Sequence, residues 1–301
     1  MNVLSLFDGI SCGMVAFERT GIIVDKYDAY EIDPNAIKVS SANYPQITHK
    51  GNVFKAEYSP GVYDILIGGS PCTYWSVARA GRGDRETASS GIGWELFKQY
   101  IRALNETGVK YFLYENNKSM SDDIKDEITK ALGVDPVMID SADFSAQIRK
   151  RYYWTNIPIP ECKRKCDLVI RDIVYDHDYE IRDFAEYADT VRTPAPGGSV
   201  KWDPSGKGYY SQQYRARGLD VKMHTVPAAG ADKCNIWLGG TQYRRLHPVE
   251  AERLQTLPDN YTAALASDRA RIKAVGNGWT VDVIAWILSH IPREEDDEWL
   301  N

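Results

Sequence analysis

The stretch NVLSLFDGISCG, from Asn2 to Gly13, decides the fold class of this chain of 301 residues. Residues 3–7 form an apolar run typical of a buried strand, and Asp8-Gly9 ends that run in a turn before a helical stretch that continues to about Arg19. A glycine-containing turn between a strand and a helix lets the backbone approach a ligand closely at the carboxyl edge of a parallel sheet. The opening therefore predicts the first strand–turn–helix unit of such a sheet, with a ligand at the turn.

Alternating strand and helix patterns continue through the first half of the chain. Strands are expected at residues 24–30, 63–67 and 111–114, and helices are expected from Pro34 and over residues 94–105. This rhythm predicts an α/β fold with a doubly wound, mostly parallel, Rossmann-like sheet.

The pattern changes between residues 158 and 240. Helical periodicity fades, and Pro, Gly and aromatic residues interrupt short β-prone pieces, as at residues 194–198 and 206–210. Helical spacing returns at residues 248–255 and 281–291. We therefore predict three segments: a large α/β domain at 1–157, a small irregular second domain at 158–240, and a return to the first domain at 241–301.

The composition favours a soluble globular protein, with 43% hydrophobic and 26% charged residues. No apolar stretch approaches the roughly 20 residues of a membrane span. The start MNVLSLFDG lacks the basic segment and the cleavage site of a signal peptide, so a cytoplasmic protein is expected. The 5 cysteines do not form a disulfide framework. Cys162 and Cys166 have no second ligand pair nearby, so no metal site is expected.

The net charge of −6 argues against a nucleic-acid partner unless basic residues are segregated, because phosphate contacts need Lys and Arg. Part of the acidic excess lies in residues 294–298. The basic residues cluster in five places: residues 149–151, residues 163–165, Arg215 with Arg217, Arg244 with Arg245, and Arg269 with Arg271 and Lys273. This distribution is compatible with one basic face.

Three residues after the opening turn have the chemistry of a reactive site. Glu31 follows the second strand, where an acid binds the ribose hydroxyls of an adenosine-containing cofactor. Cys72 follows Pro71 after an apolar strand, and a nucleophilic cysteine needs such exposure on a rigid turn. Glu115 follows the next strand, so it is expected beside Cys72, where a desolvated carboxyl group donates a proton. Taken singly, these signals also fit structural roles. The opening segment with Glu31 can be a simple tight turn, Cys72 a partly buried structural cysteine, and Glu115 a solvated or helix-capping residue.

Six motifs occur along the chain. They are Phe7-Asp8-Gly9, Pro71-Cys72, Glu115-Asn116, Gln147-x-Arg149-x-Arg151, Arg245-Leu246 before Glu250-x-x-Arg253-Leu254-Gln255, and Gly276-Asn277-Gly278-Trp279. Their order resembles that of cytosine-5 DNA methyltransferases over most of the chain, apart from the irregular domain. Residues 4–10, 67–72 and 136–140 are most similar to the catalytic domain of the animal de novo enzymes. Because no regulatory domains are attached, a phage or bacterial member is expected, of the restriction–modification kind.

The resemblance implies transfer of a methyl group from S-adenosylmethionine to C5 of a cytosine flipped out of double-stranded DNA. Cys72 would add to C6, and Glu115 would hydrogen-bond N3. Arg149 and Arg151 would hold the flipped base and Glu115, with Arg151 on the cytosine carbonyl oxygen. The cofactor pocket would be formed by residues of four segments: Phe7, Asp8, Gly9, Ile10, Ser11, Cys12; Glu31; Asn52, Val53, Phe54; and Asn277, Gly278, Trp279.

The resemblance also implies how DNA is held. The loop at residues 76–93 would close over the extruded base, and residues 158–240 would form the target-recognition region. Side chains of that region that are candidates for base contacts are Arg164, Tyr209, Gln212, Arg215 and Arg217.

Three positions depart from the family pattern. Asn52 stands where an aspartate contacts the adenine amino group, Asn117 replaces an apolar residue, and Gly278-Trp279 replaces the Ser-Val of many bacterial members. An amide oxygen still accepts the adenine hydrogen bond, so altered cofactor binding is expected. Two alternatives stay open: a cytosine-5 methyltransferase acting on transfer RNA, and a catalytically silent DNA-binding homologue. A nicotinamide dehydrogenase, suggested by the opening alone, leaves Pro71-Cys72 unexplained.

Overall fold

The chain divides into two compact units. The computed structural model describes residues 1–75, 85–183, 191–192, 199–202, 215–227 and 234–292. The first unit consists of Met1–Ile139, Lys150–Lys163 and the chain from Val281 onward, and the second consists of Asp140–Arg149 and Arg164–Thr280. No helix in the described part of the chain is long and apolar enough to cross a membrane.

A seven-stranded sheet forms the centre of the first unit. The strands up to residue 155 are β1 (Asn2–Leu6), β2 (Lys26–Tyr30), β3 (Thr48–His49), β4 (Ile65–Gly68), β5 (Tyr111–Asn117), β6 (Val137–Asp140), β7 (Gln147–Ile148) and β8 (Lys150–Thr155). All but β7 belong to this sheet, in the order β3-β2-β1-β4-β5-β8-β6. Strands β1 to β5 are parallel, and β8 is antiparallel to β5. The carboxyl ends of β1 to β5 therefore lie along one edge, which we call the carboxyl edge.

Helices connect these strands, and those predicted after the first and second strands and over residues 94–105 are present. The α-helices in the described part of the chain are α1 (Cys12–Thr20), α2 (Pro34–Asn43), α3 (Gly91–Thr107), α4 (Asp122–Leu132), α5 (Ile170–Ile173), α6 (Pro248–Leu254), α7 (Asp268–Asn277) and α8 (Val281–Leu288). Pro34 starts α2, where its missing N–H is not needed, and the Asp33 side chain accepts the N–H of Asn35 at 2.9 Å. Helix α8 returns to the first unit and packs against α1.

Aromatic side chains fill the core beside β4 and β5. The buried ring of Tyr114 lies 5.2 Å from Phe97, 4.8 Å from Tyr100 and 5.8 Å from Trp154, measured between ring centroids. Tilted aromatic pairs at such spacings add to the stabilisation from area burial. This packing fixes the strand that carries Glu115.

The second unit contains a six-stranded sheet in the order β10-β11-β12-β14-β15-β9 and a two-stranded sheet of β13 and β7. Its further strands are β9 (Arg182–Asp183), β10 (Val191–Arg192), β11 (Ser199–Trp202), β12 (Arg215–Arg217), β13 (Met223–His224), β14 (Asn235–Gly239) and β15 (Gln242–Arg245). Arg244 and Glu250 form a buried pair, with N–O distances of 2.8 and 2.6 Å. Both charges are paired and hydrogen-bonded, which a buried ion pair requires.

The doubly wound, mostly parallel sheet is confirmed, but two details differ. Strand β5 continues to Asn117, and Glu115 lies inside the strand because β8 pairs with β5 from Leu113 to Asn117. Residues 241–280 belong to the second unit, since α6 packs against α5 and α7; the chain returns to the first unit only at Val281. The role of the irregular region stays a prediction.

Some predictions fall on residues that the structure does not describe. They are the part of the expected closing loop at residues 76–84, the interrupted pieces at 194–198 and 206–210, the base-contact candidates Tyr209 and Gln212, and the acidic residues 294–298.

Candidate active site

Cys72 stands on a short turn at the carboxyl edge. Strand β4 ends at Gly68, and Cys72 begins a single turn of 3-10 helix over Cys72–Tyr74 that is closed by Trp75 N–H donating to the Cys72 carbonyl at 3.1 Å. Pro71 precedes it and fixes its own φ, which limits the freedom of the turn. The Cys72 side chain is half-buried. The turn thus presents the thiol with partial access, as a nucleophile needs.

Gly69 brings this turn against Glu115. Gly68 pairs with Tyr114 in the parallel ladder, so the chain after β4 runs beside Glu115. A Cβ atom placed on Gly69 would lie 2.7 Å from the backbone oxygen of Glu115 and 3.0 Å from its Oε2 atom. No larger residue fits there without moving one of the two segments. Glycine therefore lets the Cys72 turn and the Glu115 carboxyl group approach each other.

Arg151 holds the other oxygen of Glu115. In the antiparallel pair of β5 and β8, Glu115 opposes Tyr153 and Asn117 opposes Arg151, so Glu115 and Arg151 are diagonal neighbours on one face. Arg151 Nε lies 2.9 Å from Glu115 Oε1, and the two side chains are 13% and 12% exposed. The ion pair fixes one carboxylate oxygen of Glu115, and the predicted donation of a proton by this group stays a prediction.

Arg149 has a different setting. It precedes β8, and its guanidinium donates to the carbonyl oxygen of Gly278 at 2.9 Å and to that of Gly276 at 3.4 Å. Gln255 Nε2 donates to the same Gly278 oxygen at 3.3 Å. Arg149 thus holds residues 276–278 within the second unit. Its predicted contact with the flipped base stays a prediction.

The opening turn at β1 is built on left-handed backbone. Phe7, Gly9 and Ser11 have φ values of 59°, 60° and 60°, and two of these three residues are not glycine. Such conformations cost free energy and persist only where the surroundings enforce them. Here the Asp8 carboxylate enforces the turn by accepting hydroxyl protons from Ser5 at 2.6 Å and Ser11 at 2.5 Å. Burial raises the pKa of Asp8, and hydrogen bonds from Ser11 and Ser5 oppose that rise.

Glu31 joins this turn to the end of β2. Its Oε2 atom accepts the N–H of Gly9 at 2.8 Å, and its Oε1 atom accepts the N–H groups of Ile32 and Asp33 at 2.7 and 2.8 Å. The carboxylate is therefore fixed by three backbone donors. The remaining lone-pair site, on Oε2, suits a predicted ribose hydroxyl.

Asn52 occupies the corresponding position after β3. Its side-chain oxygen accepts the N–H of Phe54 at 2.9 Å and so caps the 3-10 helix Val53–Lys55. Apolar side chains stand exposed nearby in sequence: Ile32 is 69% exposed and Phe54 is 43% exposed. Exposed apolar groups and fixed hydrogen-bond acceptors suit a ligand that has both an aromatic ring and polar groups. Ile10, Cys12 and Val53, also predicted for the cofactor pocket, are buried.

A protein-family model matches residues 1–157 and 199–293 of this chain, and that family is described as "C-5 cytosine-specific DNA methylase". The chain belongs to the C-5 cytosine-specific DNA methylase family. The resemblance predicted from the six motifs is confirmed, and with it the assignment as a DNA cytosine methyltransferase.

Relatives similar to this methylase in sequence include type II methyltransferases of bacteria and orphan methyltransferases of phage. It is 25% identical to the type II methyltransferase M.NgoPII of Neisseria gonorrhoeae over 97% of this chain and 96% of that protein. It is 27% identical to the type II methyltransferase M.FnuDI of Fusobacterium nucleatum over 98% of this chain and 94% of that protein. Among solved structures, Entamoeba histolytica EhMeth matches with a TM-score of 0.68 at 16% identity, over 96% of this chain and 97% of that one. At this identity the structural likeness shows the fold.

The predicted site residues of the methylase form three sets, two along the carboxyl edge and one in the second unit. Phe7 to Cys12, Glu31 and Asn52 follow β1, β2 and β3, whereas Cys72 and Glu115 lie at β4 and β5. The remaining cofactor candidates, Asn277, Gly278 and Trp279, lie in the second unit, where Asn277 is exposed and Trp279 is half-buried. Their part in the pocket stays a prediction.

Sequence reasoning missed the residues that hold the Cys72 turn in the methylase. Asn116 Nδ2 donates to the backbone oxygen of Ser70 at 3.1 Å, and the hydroxyl groups of Ser70 and Tyr114 lie 2.7 Å apart. Asn116 was part of a recognised motif, but only its neighbour Glu115 was given a role. Tyr114 carried no signal, since an aromatic residue in a buried strand reads as core.

Proposed function

We propose that this methylase transfers the methyl group of S-adenosylmethionine to C5 of cytosine in double-stranded DNA, through a covalent adduct on Cys72. One observation carries the proposal. Gly69 brings the Cys72 turn against the Glu115 carboxyl group, leaving no room even for a Cβ atom. A nucleophilic sulfur and an acid are thereby available to one pyrimidine ring.

The cofactor residues fit an adenosine-containing methyl donor. Glu31 is fixed by three backbone N–H groups and retains acceptor capacity for a ribose hydroxyl. The exposed side chains of Ile32 and Phe54 supply apolar surface for an adenine ring. When bound, S-adenosylmethionine supplies an electrophilic methyl group on a sulfonium. Residues 7–12 and Asn52 complete the part of the proposed pocket that the first unit supplies, and the roles of Asn277, Gly278 and Trp279 rest on the family resemblance.

Cys72 activates the base. C5 of cytosine is a poor nucleophile, so the Cys72 thiolate adds to C6 and forms a sulfur–carbon bond, and the ring electrons shift toward C5. After C5 has been methylated, loss of the C5 proton and elimination of the Cys72 thiolate restore the aromatic ring. The sulfur leaves as it arrived, so Cys72 is regenerated in each turnover.

Glu115 balances the charge at N3. The electron pair displaced by the thiolate leaves negative charge on the ring, and a proton shared between Glu115 and N3 neutralises it. Arg151 Nε, at 2.9 Å from Glu115 Oε1, orients this acid.

The partner is double-stranded DNA, and the cytosine must leave the helix before its C6 can be attacked. Extruding a base costs a few kcal/mol, which contacts with the protein must offset. The basic clusters of the chain are candidates for the phosphate contacts. Curated relatives named as type II methyltransferases favour a site-specific enzyme acting in the cytoplasm of a bacterium or of a phage-infected cell.

A methyl-transfer assay tests this function. Purified protein is incubated with radiolabelled S-adenosylmethionine and either duplex DNA or transfer RNA, with Cys72→Ala as the matched control. We expect label in duplex DNA with the unaltered protein and none with Cys72→Ala. Label in transfer RNA alone would support the alternative substrate, and equal labelling by both proteins would refute the covalent mechanism. Bisulfite sequencing of DNA from expressing cells would then give the recognised sequence.

A further inference from the structure

Three buried polar groups meet behind the Cys72 turn. The hydroxyl groups of Tyr114 and Ser70 lie 2.7 Å apart, and Asn116 Nδ2 donates to the Tyr114 hydroxyl oxygen at 3.1 Å and to the Ser70 backbone oxygen at 3.1 Å. Tyr114, Ser70 and Asn116 are 0%, 3% and 1% exposed. We call this set the Tyr114 network. It connects a core strand to the residue two positions before Cys72.

Asn116 Nδ2 donates to the Tyr114 oxygen, and one proton joins the Tyr114 and Ser70 hydroxyl groups, either of which can donate it. Burial raises the pKa of Tyr114, so the phenol keeps its proton throughout the pH range of an assay. The hydroxyl pair is therefore permanent, and removing one member would leave the other buried without this partner, which is costly.

The Tyr114 ring is fixed as firmly as its hydroxyl. Phe97, Tyr100 and Trp154 surround it with centroid distances of 4.8 to 5.8 Å. The partner of its hydroxyl, Ser70, is flanked in sequence by Gly69, which lies against Glu115, and by Pro71, which precedes Cys72. A hydroxyl group anchored in the core thus sets the position of the short turn that separates the acid from the thiol.

We propose that Tyr114 is a positioning residue for Cys72: its hydroxyl, through Ser70, holds the turn at the distance from Glu115 that adduct formation needs. This role rests on the proposed function. Positioning of reacting groups contributes strongly to rate, and small displacements are costly. A phenylalanine in this place would fill the same core volume but leave Ser70 without its partner.

Tyr114→Phe tests the proposal, with Tyr100→Phe as the matched control. Tyr100 belongs to the same buried aromatic cluster, and its hydroxyl donates to the Leu66 backbone oxygen at 3.2 Å, four residues before Ser70. Steady-state methylation of duplex DNA gives kcat and the KM for S-adenosylmethionine, and thermal melting reports folding. We expect Tyr114→Phe to lower kcat about 3- to 10-fold, the range of one hydrogen bond. The KM for S-adenosylmethionine and the kcat of Tyr100→Phe should stay unchanged.

Ser70→Ala supplies the second variant. It should lower kcat by a similar factor, and the double variant should be no slower than the slower single one, because both changes remove the same bond. Independent effects that multiply would overturn the proposal, as would an unchanged kcat in Tyr114→Phe or an equal loss in Tyr100→Phe.

Alkylation of Cys72 separates this proposal from the proposed function. Iodoacetamide is applied over a range of pH, and the peptides containing Cys72 and Cys162 are quantified by mass spectrometry. We expect Tyr114→Phe to change the rate or pH midpoint for Cys72 but not for Cys162. If the unaltered protein methylates no DNA, the proposed function fails, and the alkylation still decides whether Tyr114 positions the thiol. An unchanged Cys72 profile would overturn that role.

Discussion

The two halves of the carboxyl edge use their polar side chains differently. After β1, β2 and β3, the oxygens of Asp8, Glu31 and Asn52 accept hydrogen bonds from groups of their own turns. After β4, by contrast, the Cys72 turn has no such side-chain cap and is held from behind by Asn116 and Tyr114. The first half fixes hydrogen-bond acceptors in place, and we call the turns that contain Asp8, Glu31 and Asn52 the cradle. The second half presents the reactive thiol of Cys72.

This difference explains why the two halves tolerate change differently. In the cradle, loss of an acceptor removes hydrogen bonds that fix a turn: three from backbone N–H groups at Glu31, one at Asn52, and those from hydroxyl groups at Asp8. Such a loss changes the stability of the turn and its affinity for the cofactor. At the Cys72 turn, a small displacement changes the geometry of reacting atoms, which costs much in rate. Substitutions in the first half should therefore alter cofactor affinity and stability, and substitutions in the second half should alter kcat.

Gly69→Ala should have the largest effect on catalysis. The new Cβ atom would lie 2.7 Å from the Glu115 backbone oxygen, so the turn must move. We expect kcat to fall about 100-fold or more, with S-adenosylmethionine binding measured by calorimetry unchanged. The matched control is Gly9→Ala, where φ is 60° but nothing lies within 4 Å of the added atom. It should lower stability by about 1 kcal/mol and weaken cofactor binding. The reverse pattern would contradict the comparison.

Arg151→Lys and Arg149→Lys should separate catalysis from stability. In Arg151→Lys, lysine cannot reproduce the guanidinium contact at 2.9 Å from Glu115, so kcat should fall about 10- to 100-fold with little change in melting temperature.

Arg149→Lys loses hydrogen bonds to Gly276 and Gly278 and should lower the free energy of unfolding by about 1.5–3 kcal/mol. Denaturant unfolding and steady-state rates measure both. Equal effects of the two variants on kcat would remove the distinction.

Asn52→Asp should strengthen the cradle. A carboxylate oxygen still caps Phe54 N–H and makes a charge-assisted hydrogen bond to an adenine amino group. We expect the Kd for S-adenosylmethionine to fall about five-fold, since charged hydrogen bonds exceed neutral ones by about 1 kcal/mol. Asn52→Ala should raise the Kd and cost about 1 kcal/mol of stability through the lost cap. A change of kcat with unaltered affinity would argue against this placement.

The smallest effect should come from pH acting on His247 in the second unit. Burial, reinforced by neighbouring His177, lowers the pKa of His247 below its usual 6.5. Its Nδ1 atom accepts the N–H of Val249 and caps α6. The folded state thus favours neutral His247, so its contribution is present above pH of about 6.5 and is lost as the pH falls toward the lowered pKa. His247→Asn, which keeps a cap, should show a smaller loss of melting temperature between pH 7.5 and 5.5, by about 1–2 °C. An equal or larger loss would exclude this role.

Much of the fold was accessible from sequence because its signals are local. Alternating apolar runs and helical spacing predict β1, β2, β4 and β5 with α1, α2 and α3 in their order, and Pro34 marks the start of α2 correctly, whereas the two-residue strand β3 is not predicted. The extent of β5 could not be predicted, because its polar end at Glu115-Asn116-Asn117 is stabilised by pairing with β8, which is distant in sequence. The units differ from the predicted domains for the same reason: α6 and α7 pack by tertiary contacts that no local pattern encodes.

The candidate site residues could be predicted from residue types and their order, but the contacts that hold those residues in place could not. The motifs give Cys72 and Glu115, and strand topology predicts that they lie close together. The Tyr114 network depends on a hydroxyl group in a buried strand, and Arg149 donates to the carbonyl oxygens of Gly276 and Gly278, which no motif indicated. Contacts between segments that are distant in sequence cannot be inferred from local sequence patterns.

Mapping the covalent adduct tests the central claim most directly. Duplex DNA carrying 5-fluorocytosine at the recognised site is incubated with the protein and S-adenosylmethionine; fluorine at C5 cannot leave as a proton does, so the adduct persists. We expect mass spectrometry to find the methylated, fluorinated base attached to the peptide containing Cys72, and to find far less of it in Glu115→Gln. Attachment at another cysteine, or methylation of ordinary DNA with no adduct on the fluorinated duplex, would contradict the account.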